Sequence, residues 1–91
     1  MQREDLDFLK LVIFVYFNSS LNQNSYSKKI FCYLAHEELK TNQQTISKYL
    51  GCNISKVRAY KRNITSLLRA NDEVLLNDLE QIKKLLNNNV K

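Results

Sequence analysis

The sequence predicts an all-α fold of five helices in one domain. The chain has 91 residues, which is enough for one hydrophobic core and too few for two. It contains no proline and one glycine, so turn residues are too rare for the many short strands of a sandwich or barrel. Its apolar residues instead recur at helical spacing, which is typical of a small helical bundle.

The first helix is expected from about Asp5 to Phe17, with acidic residues in its first turn, where the helix dipole favours negative charge. Ten of the last twelve residues of this stretch are hydrophobic, which predicts burial on more than one side. That burial is either central in the bundle or partly against a partner chain. We expect central burial, and the alternative is a homodimer through Phe8, Val12 and Val15.

A polar connector, residues 18–27, precedes the second helix. Ser25 or Ser27 is the expected cap of this helix, because a serine hydroxyl can accept a hydrogen bond from a free N–H group of the first turn. The apolar residues of the second helix fall at helical spacing, at Ile30, Phe31, Tyr33, Leu34 and Leu39.

Local signals mark the third helix and its end. Thr41 and Gln44 fit a capping box, in which the Thr hydroxyl and the Gln side chain each satisfy a free N–H group. The helix should end at about Leu50, because Gly51 follows and a left-handed glycine ends a helix sharply. Asn53 is a suitable cap for a fourth helix.

The third and fourth helices together predict a helix-turn-helix at about residues 41–69: a helix of about eight residues, a turn of about three and a longer helix. On a helical wheel, the core side of the fourth helix carries Val57, Tyr60, Ile64, Leu67 and Leu68. The opposite side is short, polar and positive, which suits a helix in the major groove of DNA. It carries Ser55, Arg58, Ala59, Arg62, Ser66 and Arg69.

A fifth helix follows residues 70–72 and completes the bundle. Its amphipathic stripe consists of Leu75, Leu79, Ile82 and Leu86. The Asn-rich end of the chain, residues 88–91, is expected to fray, so the predicted domain covers residues 1–87.

The charge of the chain is concentrated on one part of the sequence. From Leu39 to Asn71 there is no Asp or Glu, and this window holds 7 of the 14 basic residues, a charge of +7. The other 7 basic and 9 acidic residues give the rest of the chain a charge of −2. A one-sided positive field is the electrostatic footprint of a surface that binds a polyanion.

The positive face and the helix-turn-helix pattern predict binding of double-stranded DNA. The residues expected at base edges are Asn53, Ser55, Arg58, Ala59 and Arg62. Phosphates are expected to be bound by side chains and by the N–H groups at helix N-termini. The side chains expected there are Lys28, Lys29, Thr41, Gln43, Gln44, Lys48, Lys56, Lys61 and Arg69.

Catalytic, metal and cofactor sites are not expected. Cys32 and His36 stand four apart and Cys52 is a possible third ligand, but no fourth ligand is in evidence. A single His and the lack of a glycine-rich phosphate loop leave no catalytic constellation. Reduced thiols in a cytoplasmic, nucleoid-associated protein are expected. The seven-residue apolar run from Leu11 to Phe17 falls far short of the roughly 20 residues that span a bilayer.

Five segments, in order, resemble the C-terminal DNA-binding domain of the bacterial replication initiator DnaA, which has a Trp repressor/DnaA-type helix-turn-helix. They are VYFN (15–18), YLAHEEL (33–39), ISKYLG (46–51), VRAYKRNITSLL (57–68) and LLNDLEQIKKLL (75–86). Their order and spacing span nearly the whole chain. The resemblance implies an all-α DNA-binding domain that acts in replication or transcription.

The sequence departs from this family in the residues that read bases. The family signature Gly-Gly-Arg-Asp-His-Thr-Thr-Val is replaced by GCNISKV, Gly51 to Val57, which is one residue shorter and lacks the Arg, Asp and His. The family's basic loop is replaced by NQNSYSKK, which keeps only Lys28 and Lys29. The initiator's target sequence is therefore not expected to apply. Its ATPase activity is not expected either, and we expect the domain to stand alone.

Two other interpretations remain open. The chain could be a protein-interaction module that docks a partner through its apolar first helix and meets an acidic surface with its basic half. It could also be a promoter-binding module similar to region four of a sigma factor, since residues 45–68 fit that pattern. Two additional helices before this segment, and the segment YLAHEEL, disfavour the sigma-like interpretation.

Overall fold

The computed structural model describes residues 2–18 and 25–89 and confirms the all-α fold class. In this part of the chain there are five helices and no strand: α1 (Gln2–Phe17), α2 (Ser25–Glu37), α3 (Gln43–Leu50), α4 (Ile54–Arg69) and α5 (Glu73–Asn89). α5 continues through residue 89, two residues beyond the predicted end of the domain at residue 87. Residues 90 and 91 lie outside the described part.

One hydrophobic core joins the five helices. Each wholly buried Leu, Ile or Phe side chain contributes about 1.5–3 kcal/mol through the apolar surface it removes from water. The core residues at 0% exposure include Leu9, Ile13, Phe31, Leu34, Ile46, Val57, Ile64, Leu75 and Ile82. α2 contacts α1, α3 and α4, and its most extensive contact is with α4. α4 likewise contacts three helices, α2, α3 and α5, but more residues are buried on α2, which is therefore the central helix of the bundle.

The expected central burial of α1 is wrong. α1 makes its main contacts with α2 and α5, and these two helices cover only one of its sides. Leu11, Phe14 and Val15 stay 55%, 45% and 64% exposed. The surface expected for a homodimer is also different, because Val12 is buried and Phe8 packs against the core. Of the expected dimer residues, Val15 is exposed, and it is joined there by Leu11 and Phe14.

The start of α3 also differs from the expected capping box. Asn42 is the cap, with its side-chain oxygen accepting a hydrogen bond from the Thr45 N–H at 2.8 Å. Thr41 is wholly buried, and its N–H donates to the Ala35 carbonyl of α2 at 3.0 Å. A left-handed Lys40, with φ 56°, turns the chain between the two helices. Asn is among the strongest capping residues, so Asn42 caps the helix while Thr41 faces the interior.

The expected serine cap of α2 is wrong as well. Ser25 is the first residue of the helix and Ser27 the third, and Ser27 is buried. A capping residue precedes the first helical residue, and that position lies outside the described residues. At its other end α2 stops at Glu37, so Leu39 packs against the core from the following turn.

The turn between α3 and α4 agrees with the sequence prediction. Gly51 has a left-handed backbone with φ 72°, and its N–H donates to the Ser47 carbonyl at 2.9 Å. The Cys52 N–H donates to the same carbonyl at 3.1 Å. Asn53 caps α4 by accepting a hydrogen bond from the Lys56 N–H at 3.2 Å. These bonds hold α4 in a fixed direction relative to α3.

A cluster around Asp78 fastens α1, α2 and α5 together. The Asp78 carboxylate accepts hydrogen bonds from the hydroxyls of Tyr16, at 2.7 Å, and Tyr26, at 2.9 Å. The Phe17 ring makes edge contacts with both tyrosine rings, with centroids 4.9 and 5.7 Å apart. Tyr49 of α3 likewise donates a hydrogen bond to Asp7 of α1.

Candidate nucleic-acid interface

The two sides of α4 are as the helical wheel predicts. On the core side Val57 and Ile64 are wholly buried, while Tyr60, Leu67 and Leu68 are half-buried against the core. Every residue expected on the opposite side is exposed: Ser55, Arg58, Ala59, Arg62, Ser66 and Arg69. α4 therefore presents a continuous polar surface, which we call the α4 face.

Helical spacing divides the α4 face into two rows. Arg58, Arg62 and Arg69 lie within about 40° of one another around the helix axis, since each residue advances about 100°. The small residues Ser55, Ala59 and Ser66 form a second row beside them. The short side chains of the second row leave the helix backbone accessible. Another molecule can therefore approach the backbone closely while it contacts the guanidinium groups of the first row.

A side chain of α3 is hydrogen-bonded to an arginine at the start of the α4 face. The Arg58 Nε–H donates to the Gln43 side-chain oxygen at 3.1 Å. Gln43 is the first residue of α3 and is half-buried. Its oxygen is occupied by this bond, and its side-chain NH₂ group is still able to donate. Gln43, expected as a phosphate contact, thus also holds the arginine.

A second hydrogen bond comes from α2. The Lys29 ammonium donates to the Asn63 side-chain oxygen at 3.4 Å. Beside this pair is an open depression of about 290 Å³ lined by Ala59, Arg62, Asn63 and Ser66. Asn63 was not among the residues expected from the sequence. It lies at the border of the exposed side on the wheel, and its partner is 34 residues away.

The basic residues of the acid-free window are not neutralised within the described part of the chain. The three close contacts between basic and acidic side chains there are His36–Glu37, Lys83–Glu38 and Lys84–Glu80, at 3.4–3.7 Å. None of these pairs includes a residue between Leu39 and Asn71. The window's basic side chains are exposed except for Lys61, which is half-buried. Their charge is therefore available to an external anion.

The other residues expected at phosphates differ in exposure and in their distance from the α4 face. Gln44, Lys48 and Lys56 are exposed, whereas Lys28 is half-buried. Lys48 lines a depression with Leu6 of α1, and it is about 140° around α3 from Gln43, so it does not join the α4 face.

Two predicted contacts need correction or qualification. Thr41 is wrong as a phosphate contact, because it is wholly buried and no surface of it is open to a phosphate. Asn53 is exposed, but its side-chain oxygen caps α4, so its remaining polar group is the NH₂ donor.

The two cysteines are free thiols. Cys32 is wholly buried, and this burial raises the pKa of its thiol to about 12. Cys52 is half-buried in the turn before α4. Over residues 2–18 and 25–89, no group of three or more His, Cys, Asp and Glu side chains is arranged to hold a metal ion.

Neither the described helices nor the comparisons point to a membrane span or to a known family. None of these helices is both long and apolar enough to cross a membrane. No protein-family model, curated protein or solved structure matches the chain. The similarity to the DNA-binding domain of the replication initiator therefore stays a prediction.

Proposed function

We propose that this chain is a helix-turn-helix protein that binds double-stranded DNA through the α4 face and regulates transcription or replication. The observation that carries the proposal is the unneutralised charge of the window from Leu39 to Asn71. Its seven basic residues have no carboxylate partner in the described structure, and three of them form one row on the α4 face. Duplex DNA is the polyanion whose major groove admits a helix.

The shape of the α4 face supports this choice of ligand. An α-helix with its side chains is about 10–12 Å wide, which matches a major groove about 12 Å wide. Ser55, Ala59 and Ser66 add little width, so the helix backbone can approach the floor of the groove. The arginines then reach guanine edges or phosphates. The bonds from Gln43 to Arg58 and from Lys29 to Asn63 keep the first turns of α3 and α2 close to the α4 face, where they would meet the same groove.

Salt dependence of duplex binding tests the proposal. If the protein neutralises about five phosphates, a plot of log affinity against log salt has a slope of about −4.5. Fluorescence anisotropy of a labelled duplex at several salt concentrations measures it. Replacing Lys56 and Arg69, two exposed residues expected at phosphates, with Ala should make the slope shallower by about 2, whereas Lys10→Ala, an exposed charge on α1 outside the window, should leave it unchanged. Binding that does not respond to salt, or no binding at low salt, contradicts the proposal.

A second candidate function is protein interaction through α1. Leu11, Phe14 and Val15 form an exposed apolar surface on this helix, which we call the α1 patch. Exposed apolar patches on small proteins commonly mark interfaces. The occupant that fits DNA binding is a second copy of the chain, since a symmetric dimer presents two α4 faces to two half-sites.

A further inference from the structure

The depression on the α4 face is lined by hydrogen-bond donors of α4, and a donor of α2 lies next to it. α4 contributes Arg62, Asn63 and Ser66, with Ala59 leaving the floor open. Lys29 of α2 is not part of the lining, but its ammonium lies 3.4 Å from the side-chain oxygen of Asn63, which is. The two cations have no carboxylate partner in the described residues, and neither α3 nor α4 contains an acidic residue.

The donors at this depression suit an anion better than a base edge. Lys can only donate, so the Asn63 side chain turns its oxygen toward Lys29 and keeps its NH₂ group as a donor. The Arg62 guanidinium also only donates, and a serine hydroxyl does so readily. Each base pair in the major groove presents a donor, from adenine or cytosine, as well as acceptors. A phosphate presents acceptor oxygens and negative charge, which matches the donors gathered here.

We infer that this depression binds one backbone phosphate of the DNA, with Lys29 and Arg62 as its cations and Asn63 and Ser66 as its neutral donors. The inference rests on the proposed function and deepens it. It changes the role expected for Arg62 from reading a base edge to binding a phosphate. A phosphate held between α2 and α4 fixes the rotation of α4 in the groove. Base reading then belongs to the start of α4, at Ser55 and Arg58.

The first test separates phosphate binding from base reading by Arg62. Lys29→Ala and Arg62→Ala should each make the slope of log affinity against log salt shallower, and the double variant should make it shallower by about 1, because the two cations share one phosphate. Each should weaken binding by the same factor to a duplex selected from a random pool and to random duplex. Arg58→Ala should instead weaken mainly the selected duplex. If Arg62→Ala relaxes discrimination at one base pair and leaves the slope unchanged, Arg62 reads a base and the inference is overturned.

The second test locates the phosphate. Single methylphosphonate substitutions along the selected duplex remove one negative charge at a time. One position should weaken binding by the wild-type protein, should cause a smaller loss in Lys29→Ala, and should cause little further loss in the double variant Lys29→Ala, Arg62→Ala, which lacks both cations. Lys28→Ala is the matched control and should stay fully sensitive at that position, since Lys28 makes no hydrogen bond with Asn63. Full sensitivity in the Lys29→Ala variant at every position overturns the inference.

The outcomes for the site and for the protein can be told apart. If the wild-type chain shows no salt-dependent binding to duplex, the proposed function fails and the phosphate site fails with it. If the wild-type chain binds duplex with a steep salt slope and Lys29→Ala and Arg62→Ala leave that slope unchanged, the inference alone is overturned. Thermal unfolding of each variant should stay close to that of the wild type, because Arg62 is exposed and Lys29 is half-buried.

Discussion

Gln43 connects two parts of the proposed interface. Its side-chain oxygen accepts a hydrogen bond from Arg58, and its NH₂ group is oriented by that bond. A long, exposed arginine loses conformational freedom when it binds DNA, so a bond that orients it beforehand reduces this cost. Gln43 is therefore expected to act through Arg58 as well as through its own contact.

The role of Gln43 can be measured by a double-mutant cycle. Gln43→Ala and Arg58→Ala should be coupled by about 0.5–1 kcal/mol in binding to the selected duplex, because Gln43 orients the arginine. Anisotropy titrations of the two single variants and the double variant give this coupling. Gln44→Ala is the control, since Gln44 is the exposed neighbour and forms no bond with Arg58. Strictly additive effects of Gln43→Ala and Arg58→Ala contradict the positioning role.

The tyrosines around Asp78 make stability depend on pH. The hydrogen bond to Asp78 is the main cause that raises the pKa of Tyr16. Burial is the main cause that raises the pKa of Tyr26, and the hydrogen bond to Asp78 is the second. The folded chain thus holds these protons more tightly than the unfolded chain. The stability they contribute is fully present below pH about 10, the ordinary tyrosine value, and falls as the pH rises above it.

Urea unfolding at about pH 8 and about pH 11 should reveal this loss. The double variant Tyr16→Phe, Tyr26→Phe should lose less of its unfolding free energy between these two pH values than the wild type. Phe17→Leu is the control, because it disturbs the packing of the cluster and keeps both hydroxyls. An equal loss in the wild type and the double variant contradicts the assignment.

At the scale of the elements, the turn between α3 and α4 depends on the backbone of Gly51. A Cβ atom added at Gly51 would meet nothing within 4 Å, so space does not select glycine at this position. Glycine is favoured here because the backbone is left-handed, with φ 72°. Gly51→Ala should therefore lower the free energy of unfolding by about 1–2 kcal/mol, and Gly51→Asn by less, because Asn tolerates this conformation. Urea denaturation measures both, and equal stability of the three chains contradicts the explanation.

At the scale of the whole molecule, the α1 patch is the proposed contact surface for a second copy of the chain, and the α4 face is the proposed contact surface for DNA. Sedimentation at micromolar concentration should show self-association of the wild-type chain. Phe14→Glu should abolish it by placing a charge in the patch. Val74→Glu is the matched control, since Val74 is 68% exposed on α5, outside the patch. Two copies should bind a duplex whose half-sites are about one helical turn apart. A strict monomer with and without duplex excludes the dimer and leaves DNA binding intact.

The sequence by itself determined the five helices, the turn between α3 and α4 and the two sides of α4. Gly51 and Asn53 are local signals whose effect needs only neighbouring backbone atoms. The apolar residues of α4 cluster on one side of the wheel, so the exposed side could be read without knowing the neighbouring helices. The acid-free window is likewise a property of the sequence alone.

The tertiary structure decided which surfaces are covered and which side chains meet. α1 is apolar on nearly every side, so its sequence pattern does not indicate which side faces the core. The contacts with α2 and α5 decide this and leave Leu11, Phe14 and Val15 exposed. Thr41 became buried because the preceding turn directs it inward and Asn42 caps α3. Lys29 meets Asn63 across 34 residues, and Gln43 meets Arg58 across 15. Such pairs depend on how helices pack against one another, which residue spacing within a single helix does not encode.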